Sequence, residues 1–262
     1  MKLPKIILVL MTGAFSLLNA HTKFLEREIY TKPVINKIPK IIHQIWVGKK
    51  EIPPKYITFM EGWKKLHPDW EYKLWTDQDI DSFPWEDKDT FLKAKNPAMK
   101  GDIWGYEIIY KYGGVYIDCD MECIRPLDPI HERLTSYFGW DSPSKEVIAA
   151  SIYAGMSGSL IYKKFINLVS SNLSKIHDVA TISKGDQLSV SGPNAMTNVI
   201  RPNKKLFKKN DIIFSHEYFQ PVSCGNGGIP RTDQEKFDVE HSFFAIHHNG
   251  CSWTGEEFFP NK

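Results

Sequence analysis

Asp118-Cys119-Asp120 sets two carboxylates at positions i and i+2, directly after the apolar run Val115-Tyr116-Ile117. On an extended chain such a pair projects to one side, close enough to share a cation. Two carboxylates that leave further coordination positions open suit hydrated Mg²⁺ or Mn²⁺, with room kept for the oxygens of a diphosphate. A cation held there offsets the charge that grows on a departing nucleoside diphosphate. Asp-x-Asp triplets also occur by chance on solvated loops, so the weight rests on what precedes this one. Far along the chain, His247-His248-Asn249-Gly250-Cys251-Ser252-Trp253 gathers two imidazoles, a hydroxyl and an indole N–H. Read from these residues alone, the cluster is most simply a solvated histidine pair.

The elements that must hold these groups follow from hydrophobic period. Met99, Ile103, Tyr106 and Tyr110 recur along one helical face, and Gly113 stops that helix. Gly114 then turns the chain into a short β-prone strand with the carboxylates at its carboxyl end, where open α/β sheets hold ligands. Upstream, Ile41-Ile42-His43-Gln44-Ile45-Trp46-Val47 predicts a buried strand closed by Gly48. Phe59, Trp63 and Leu66 predict a helix that His67-Pro68 ends, and Trp70 to Trp75 a second strand with Thr76-Asp77 as caps. Strand, helix, strand indicates an α/β fold. Beyond Pro126 the pattern is mixed, with a helix near Tyr162 to Leu173 and loops at Ser191-Gly192-Pro193 and Cys224 to Pro230.

With 262 residues, 42% hydrophobic and 13% aromatic, the chain can bury one sizeable core, so one catalytic domain is expected. Thirty-three Lys plus Arg against 31 Asp plus Glu leave a charge of +2, which gives no electrostatic case for nucleic acid as a partner. Met1-Lys2-Leu3-Pro4-Lys5, the apolar stretch to Leu18 and Leu18-Asn19-Ala20 predict a signal peptide over residues 1–20, or a short anchor. Export follows: secreted or periplasmic, or the secretory lumen of a eukaryote. The four cysteines, Cys119, Cys123, Cys224 and Cys251, lack zinc-site spacing; packing or disulfides suit them, with no pairing assigned. Asn172-Leu173-Ser174 is a glycosylation sequon.

Three stretches, Ile38 to Trp46, His67 to Asp77, and Tyr106 to Asp120 with Arg125-Pro126-Leu127-Asp128, together resemble glycosyltransferase family 32. The resemblance runs over residues 38–128 and returns at His247 to Trp253. It implies a GT-A type nucleotide-diphospho-sugar transferase fold, a mixed central sheet flanked by helices, over residues 38–262 after a lead segment at 21–37. It further implies a UDP-sugar or GDP-sugar donor, a Mn²⁺ or Mg²⁺ cofactor, and transfer of a hexose (mannose, glucose or galactose) with retention to a glycan, glycolipid or protein acceptor. Peripheral membrane association stays open.

By the same resemblance, Asp120 and His247 are expected metal ligands, Asp118 lies nearer the ribose and sugar, and Asp102 contacts the donor sugar. Ser252 and Trp253 close on the phosphates. Trp46 either flanks the base or is core; Asp77 either contacts the nucleotide or caps a helix. The family usually carries an arginine about three residues after Asp102, where this chain has Gly105. A guanidinium there would pair with the donor, so its absence either weakens donor binding, is compensated by Lys100 or Arg125, or marks an inactive copy, and Gly105→Arg is expected to preserve or raise turnover. Gly105 also motivates a rival: a nucleotide-sugar or glycan-binding protein without turnover. A metal-dependent phosphodiester hydrolase is the second rival, short of ligands for a two-metal centre.

Overall fold

The computed structural model of the protein describes residues 28–179, 182–220 and 243–248. The expected signal peptide, the first part of the lead segment, Cys224, Cys251, Ser252 and Trp253 lie outside the described residues.

The chain enters through β1 (Ile41–Trp46) and α1 (Pro54–Leu66). Pro54 at the first helical turn costs no hydrogen bond, and Lys64 and Lys65 complement the dipole at the other end. β2 (Glu71–Thr76) follows, then α2 (Lys88–Lys93) and α3 (Pro97–Tyr112). The Asn96 side chain caps α3, accepting from the Ala98 and Met99 amides at 2.7 and 3.4 Å. Met99, Ile103 and Tyr106 are buried along it, as their spacing predicts.

Gly113 and Gly114 end α3 with φ of +69° and +97° and turn the chain into β3 (Gly114–Ile117). A Cβ on Gly114 would stand 2.6 Å from the Ile41 carbonyl oxygen and 2.9 Å from His43 Nε2. Glycine at this turn is therefore what lets β3 lie against β1. His43 secures the junction: its Nε2 donates to the Gly113 carbonyl at 2.9 Å, while Nδ1 accepts from the Trp75 indole at 3.2 Å. That pairing fixes the neutral tautomer, and burial depresses the imidazole to about 4.

The remaining elements are β4 (Met121–Cys123), α4 (Asp128–His131), β5 (Ser136–Trp140), β6 (Ile148–Gly155), α5 (Leu160–Ser174), α6 (Lys184–Val190), α7 (Pro193–Ile200), β7 (Asp211–Phe214) and β8 (Ala245–His247). Six strands form a mixed sheet in the order β2-β1-β3-β6-β5-β7; β1 pairs in parallel with β2 and β3, and β6 is antiparallel to β3 and β5. Alternation along the strands splits the core between the faces. Tyr116, Phe138 and Tyr153 pack with α3, α5 and α7, whereas Val115, Ile117, Tyr137 and Ile152 pack with Trp63 of α1. β4 and β8 make a separate antiparallel pair. The α/β expectation of a mixed sheet between helices is met. Among the described residues no helix is long and apolar enough to cross a membrane.

Asn172 lies inside α5 rather than on a loop, and its Nδ2 donates to the Val190 carbonyl at 3.1 Å. Cys119 and Cys123 are buried thiols; Cys119 Sγ donates to the Ile45 carbonyl at 3.3 Å.

Candidate active site

β3 ends at Ile117, and the two carboxylates sit on a tight turn closed by the Met121 amide donating to the Asp118 carbonyl at 3.1 Å. This corrects the extended geometry expected for the i, i+2 pair. The turn leads straight into β4, whose antiparallel pairing with β8 sets Met121 opposite His247. His247 Nε2 consequently stands 3.3 Å from Asp120 Oδ1, across a long gap in sequence. Further bonds hold the turn: the Asp118 amide donates to the Ser151 carbonyl at 2.8 Å, and Gln44 Nε2 to the Asp118 carbonyl at 3.1 Å. The Trp63 indole donates to the Met121 carbonyl at 2.8 Å.

Asp118, Asp120 and His247 each offer one donor atom, and all three atoms lie within 4.8 Å of one another. An octahedral ion with bonds of about 2.1 Å has its ligand atoms roughly 3 Å apart in cis and roughly 4.2 Å apart in trans, so small side-chain shifts bring these three into range. The electrostatics favour the same occupant. Burial, and then the neighbouring Asp120 carboxylate, raise Asp118 to about 7, against the opposing pull of His247 and the Tyr116 hydroxyl, which donates to Asp118 Oδ1 at 2.7 Å. Burial disfavours a charged His247, yet Asp120, Asp118 and Asp141 prevail and lift it to about 9. Two carboxylates sharing a half-buried site and one proton-holding imidazole make a set that a divalent cation would satisfy.

The group opens into a cavity of about 680 Å³. Trp46, half-buried, lines one flank; its indole donates to the Lys50 carbonyl at 2.7 Å and meets Tyr56 edge to face at 6.0 Å. Asp102 enters from α3. Burial raises its carboxyl to about 7, opposed by the Ser191 hydroxyl donating to Oδ2 at 2.8 Å. The Tyr106 hydroxyl in turn donates to the Ser191 carbonyl at 2.7 Å, so one loop before α7 is tied to two turns of α3. Asp77 does not line the cavity; it accepts from the Gly48 amide at 2.8 Å and steadies the loop after β1.

The structure alters the expectation for Gly105. A Cβ there would stand 2.2 Å from Tyr153 Oη and 3.1 Å from the Tyr116 ring, so the space a guanidinium would cross is filled by two stacked tyrosines, with centroids 4.8 Å apart. Gly105→Arg is thus expected to damage the core rather than raise turnover. Nor do the expected substitutes stand in. Lys100 lies over the Phe91 ring at 5.0 Å, and Arg125 over Phe244 at 3.9 Å, both away from the cavity. Among the described residues, Lys49 and Lys50 are the Lys and Arg side chains that line it.

Asp141, Ser151, Gln187, Asn194 and Gln220 also line the cavity, and sequence pattern did not single them out. They are scattered over the end of β5, strand β6, helices α6 and α7 and the segment after β7, with no local motif to mark any of them.

Residues 53–137 match the model of the glycosyltransferase sugar-binding region containing a DXD motif. The chain is 43% identical over 109 residues to inositol phosphoceramide mannosyltransferase 3 of Schizosaccharomyces pombe, covering 40% of this chain and 30% of that protein. It is 45% identical over 98 residues to the mannosyl phosphorylinositol ceramide synthase SUR1 of Saccharomyces cerevisiae, covering 36% of this chain and 25% of that one. The chain thus spans less than a third of the length of these relatives. The solved structure titled PaToxG Glycosyltransferase superposes with a TM-score of 0.50 at 16% identity, over 74% of this chain and 83% of that one, a likeness of fold. Residues 53–137 thus resemble the DXD-containing sugar-binding region of glycosyltransferases, and the chain carries them on a GT-A type α/β fold.

Proposed function

We propose that the protein is a metal-dependent, retaining glycosyltransferase that moves a hexose from a UDP-sugar or GDP-sugar to a hydroxyl of a glycan, glycolipid or protein, with residues 38–262 as its catalytic domain. The relatives' names make mannose the leading donor sugar. The observation that carries this reading is the meeting of Asp118, Asp120 and His247 at the carboxyl end of the central strand, on the wall of a cavity of about 680 Å³.

Asp120 and His247 would hold Mn²⁺ or Mg²⁺, and when bound that ion supplies charge neutralisation to the diphosphate leaving group. Asp118, kept in place by Tyr116, faces the ribose and sugar. Asp102, fixed by Ser191, accepts hydrogen bonds from donor-sugar hydroxyls, while Trp46 offers its face to the base. Ser252 and Trp253 donate to phosphate oxygens. The aromatic wall of Trp46 and Tyr56 and the apolar Val47 and Val147 limit water around the sugar, which protects an oxocarbenium-like centre from hydrolysis.

A panel of UDP- and GDP-sugars with Mn²⁺ or Mg²⁺, run on wild type and Asp120→Ala, tests this reading. Metal-dependent turnover is expected in wild type alone; equal turnover in the variant would remove the metal from the scheme. Gly105 and the tyrosine pair behind it favour one rival, a nucleotide-sugar-binding protein without catalysis. Tight donor binding with no turnover on any acceptor would select it. For a phosphodiester hydrolase, the described residues hold one candidate metal group, whereas two ions about 4 Å apart need more ligands.

A further inference from the structure

The cavity has two chemically different flanks on either side of Asp118. Sheet order puts β1 on one side of β3 and β6, then β5, on the other. The β1 side presents Trp46, Lys49 and Lys50, an aromatic face with two ammonium groups, which suits a nucleotide. The other side is built from Asp141, just past β5, Ser151 on β6, and Gln220. No Lys or Arg among the described residues lines that side.

Gln220 is 4% exposed, and its amide has one orientation that satisfies both ends. In it the oxygen accepts from Ser151 Oγ at 2.8 Å, and the nitrogen donates to Asp141 Oδ1 at 3.0 Å and to the Asp141 carbonyl at 3.2 Å. The carboxylate is thereby aimed by a buried neighbour, with its second oxygen left for the cavity. Asp141 is exposed at the wall, yet its carboxyl is partly withdrawn from water. Burial raises its pKa, with His247 and Gln220 opposing. A diphosphate is repelled from an anionic carboxylate, whereas hydroxyls, as neutral donors, bind one well.

We infer that Asp141, aimed by Gln220 and Ser151, forms the subsite that receives the acceptor as a neutral polyol, by accepting hydrogen bonds from its hydroxyls. The assignment rests on the transferase reading and extends it: nucleotide on the β1 flank, polyol on the β5 and β6 flank, and the transferred sugar between them. A hexoside and a cyclitol share this chemistry, and the test separates them.

Methyl α-mannoside and myo-inositol are titrated separately into wild type, Asp141→Asn and Gln220→Leu, each saturated with Mn²⁺ and GDP or UDP, and binding is followed by saturation-transfer NMR. At least one polyol is expected to bind wild type, with its dissociation constant raised about tenfold or more in Asp141→Asn, the scale of one hydrogen bond to a charged group. Nucleotide affinity in that variant should stay within about twofold, since the substitution lies off the nucleotide flank. Gln220→Leu should weaken the same polyol, and it carries the test alone if Asp141→Asn fails to fold. Absence of binding by both polyols, unchanged polyol affinity in the folded variants, or a parallel fall in nucleotide affinity would each overturn the assignment. Asp120→Asn separates the two levels: metal-dependent nucleotide binding that survives it contradicts the transferase reading, whatever the polyols do.

Discussion

Gly105→Ala tests how tightly the tyrosines behind α3 control this region. On an isolated helix the change would stabilise by about 1 kcal/mol, because glycine pays more backbone entropy than alanine. Here the new methyl would stand 2.2 Å from Tyr153 Oη, well inside van der Waals contact. The ring has little room to retreat, since Tyr116 stacks on it at 4.8 Å, and Tyr106 and Tyr162 flank it at 5.6 and 6.0 Å. Overpacking of this kind costs about 1–3 kcal/mol, so the net effect is a destabilisation of up to about 2 kcal/mol. At about 2–4 °C per kcal/mol for a chain of this size, the midpoint should fall by a few degrees in a thermal scan. Tyr153→Phe supplies the control. Among the described residues Tyr153 Oη has no hydrogen-bond partner, so its removal alone should be near neutral. In the double variant the clash is gone and the helix-propensity gain of about 1 kcal/mol should reappear. A midpoint for Gly105→Ala at or above wild type, or strictly additive single effects, would refute the steric account of why glycine stands here.

Three other outcomes are expected. Because His247 is raised to about 9 and must lose its proton to bind a cation, Mn²⁺ affinity should climb roughly tenfold per pH unit from 7 towards 9, with about one proton released per ion; calorimetry in buffers of different ionisation heat measures this, and a flat profile would remove His247 from the ligand set. His43 and His131 are both held near 4 by burial, so the unfolded chain takes up these protons first. Stability should be full above pH 6.5 and fall as pH drops from 6.5 through 4, by up to about 3 kcal/mol per histidine, and denaturant titrations that show no slope in that window would contradict it. Gly114→Ala must adopt φ of +97° with its methyl 2.6 Å from the Ile41 carbonyl, a backbone atom with nowhere to go; it should destabilise by more than about 2 kcal/mol, and a near-normal urea midpoint would show that the turn can be rebuilt.

Local pattern was enough to anticipate the strands around Asp118, the α3 helix and its Gly-Gly stop, because period, caps and left-handed turns are short-range properties of neighbouring residues. The Asp-x-Asp pair was equally visible, though its turn was not: a run of three residues carries no sign of whether the chain is extended or bent. His247 could be suspected only through family resemblance, since nothing near it in sequence specifies Asp120. The β4–β8 pairing decides that meeting, and strand register is a property of two distant segments at once. Asp141, Ser151 and Gln220 had no local signal at all; they converge because β5 ends, β6 begins and the segment after β7 passes at the same edge of one sheet. Gly105 gives the sharpest contrast. Its identity was plain in the sequence as a missing arginine, but whether that position was empty or occupied depended on Tyr116 and Tyr153, brought under α3 by the antiparallel pairing of β3 with β6.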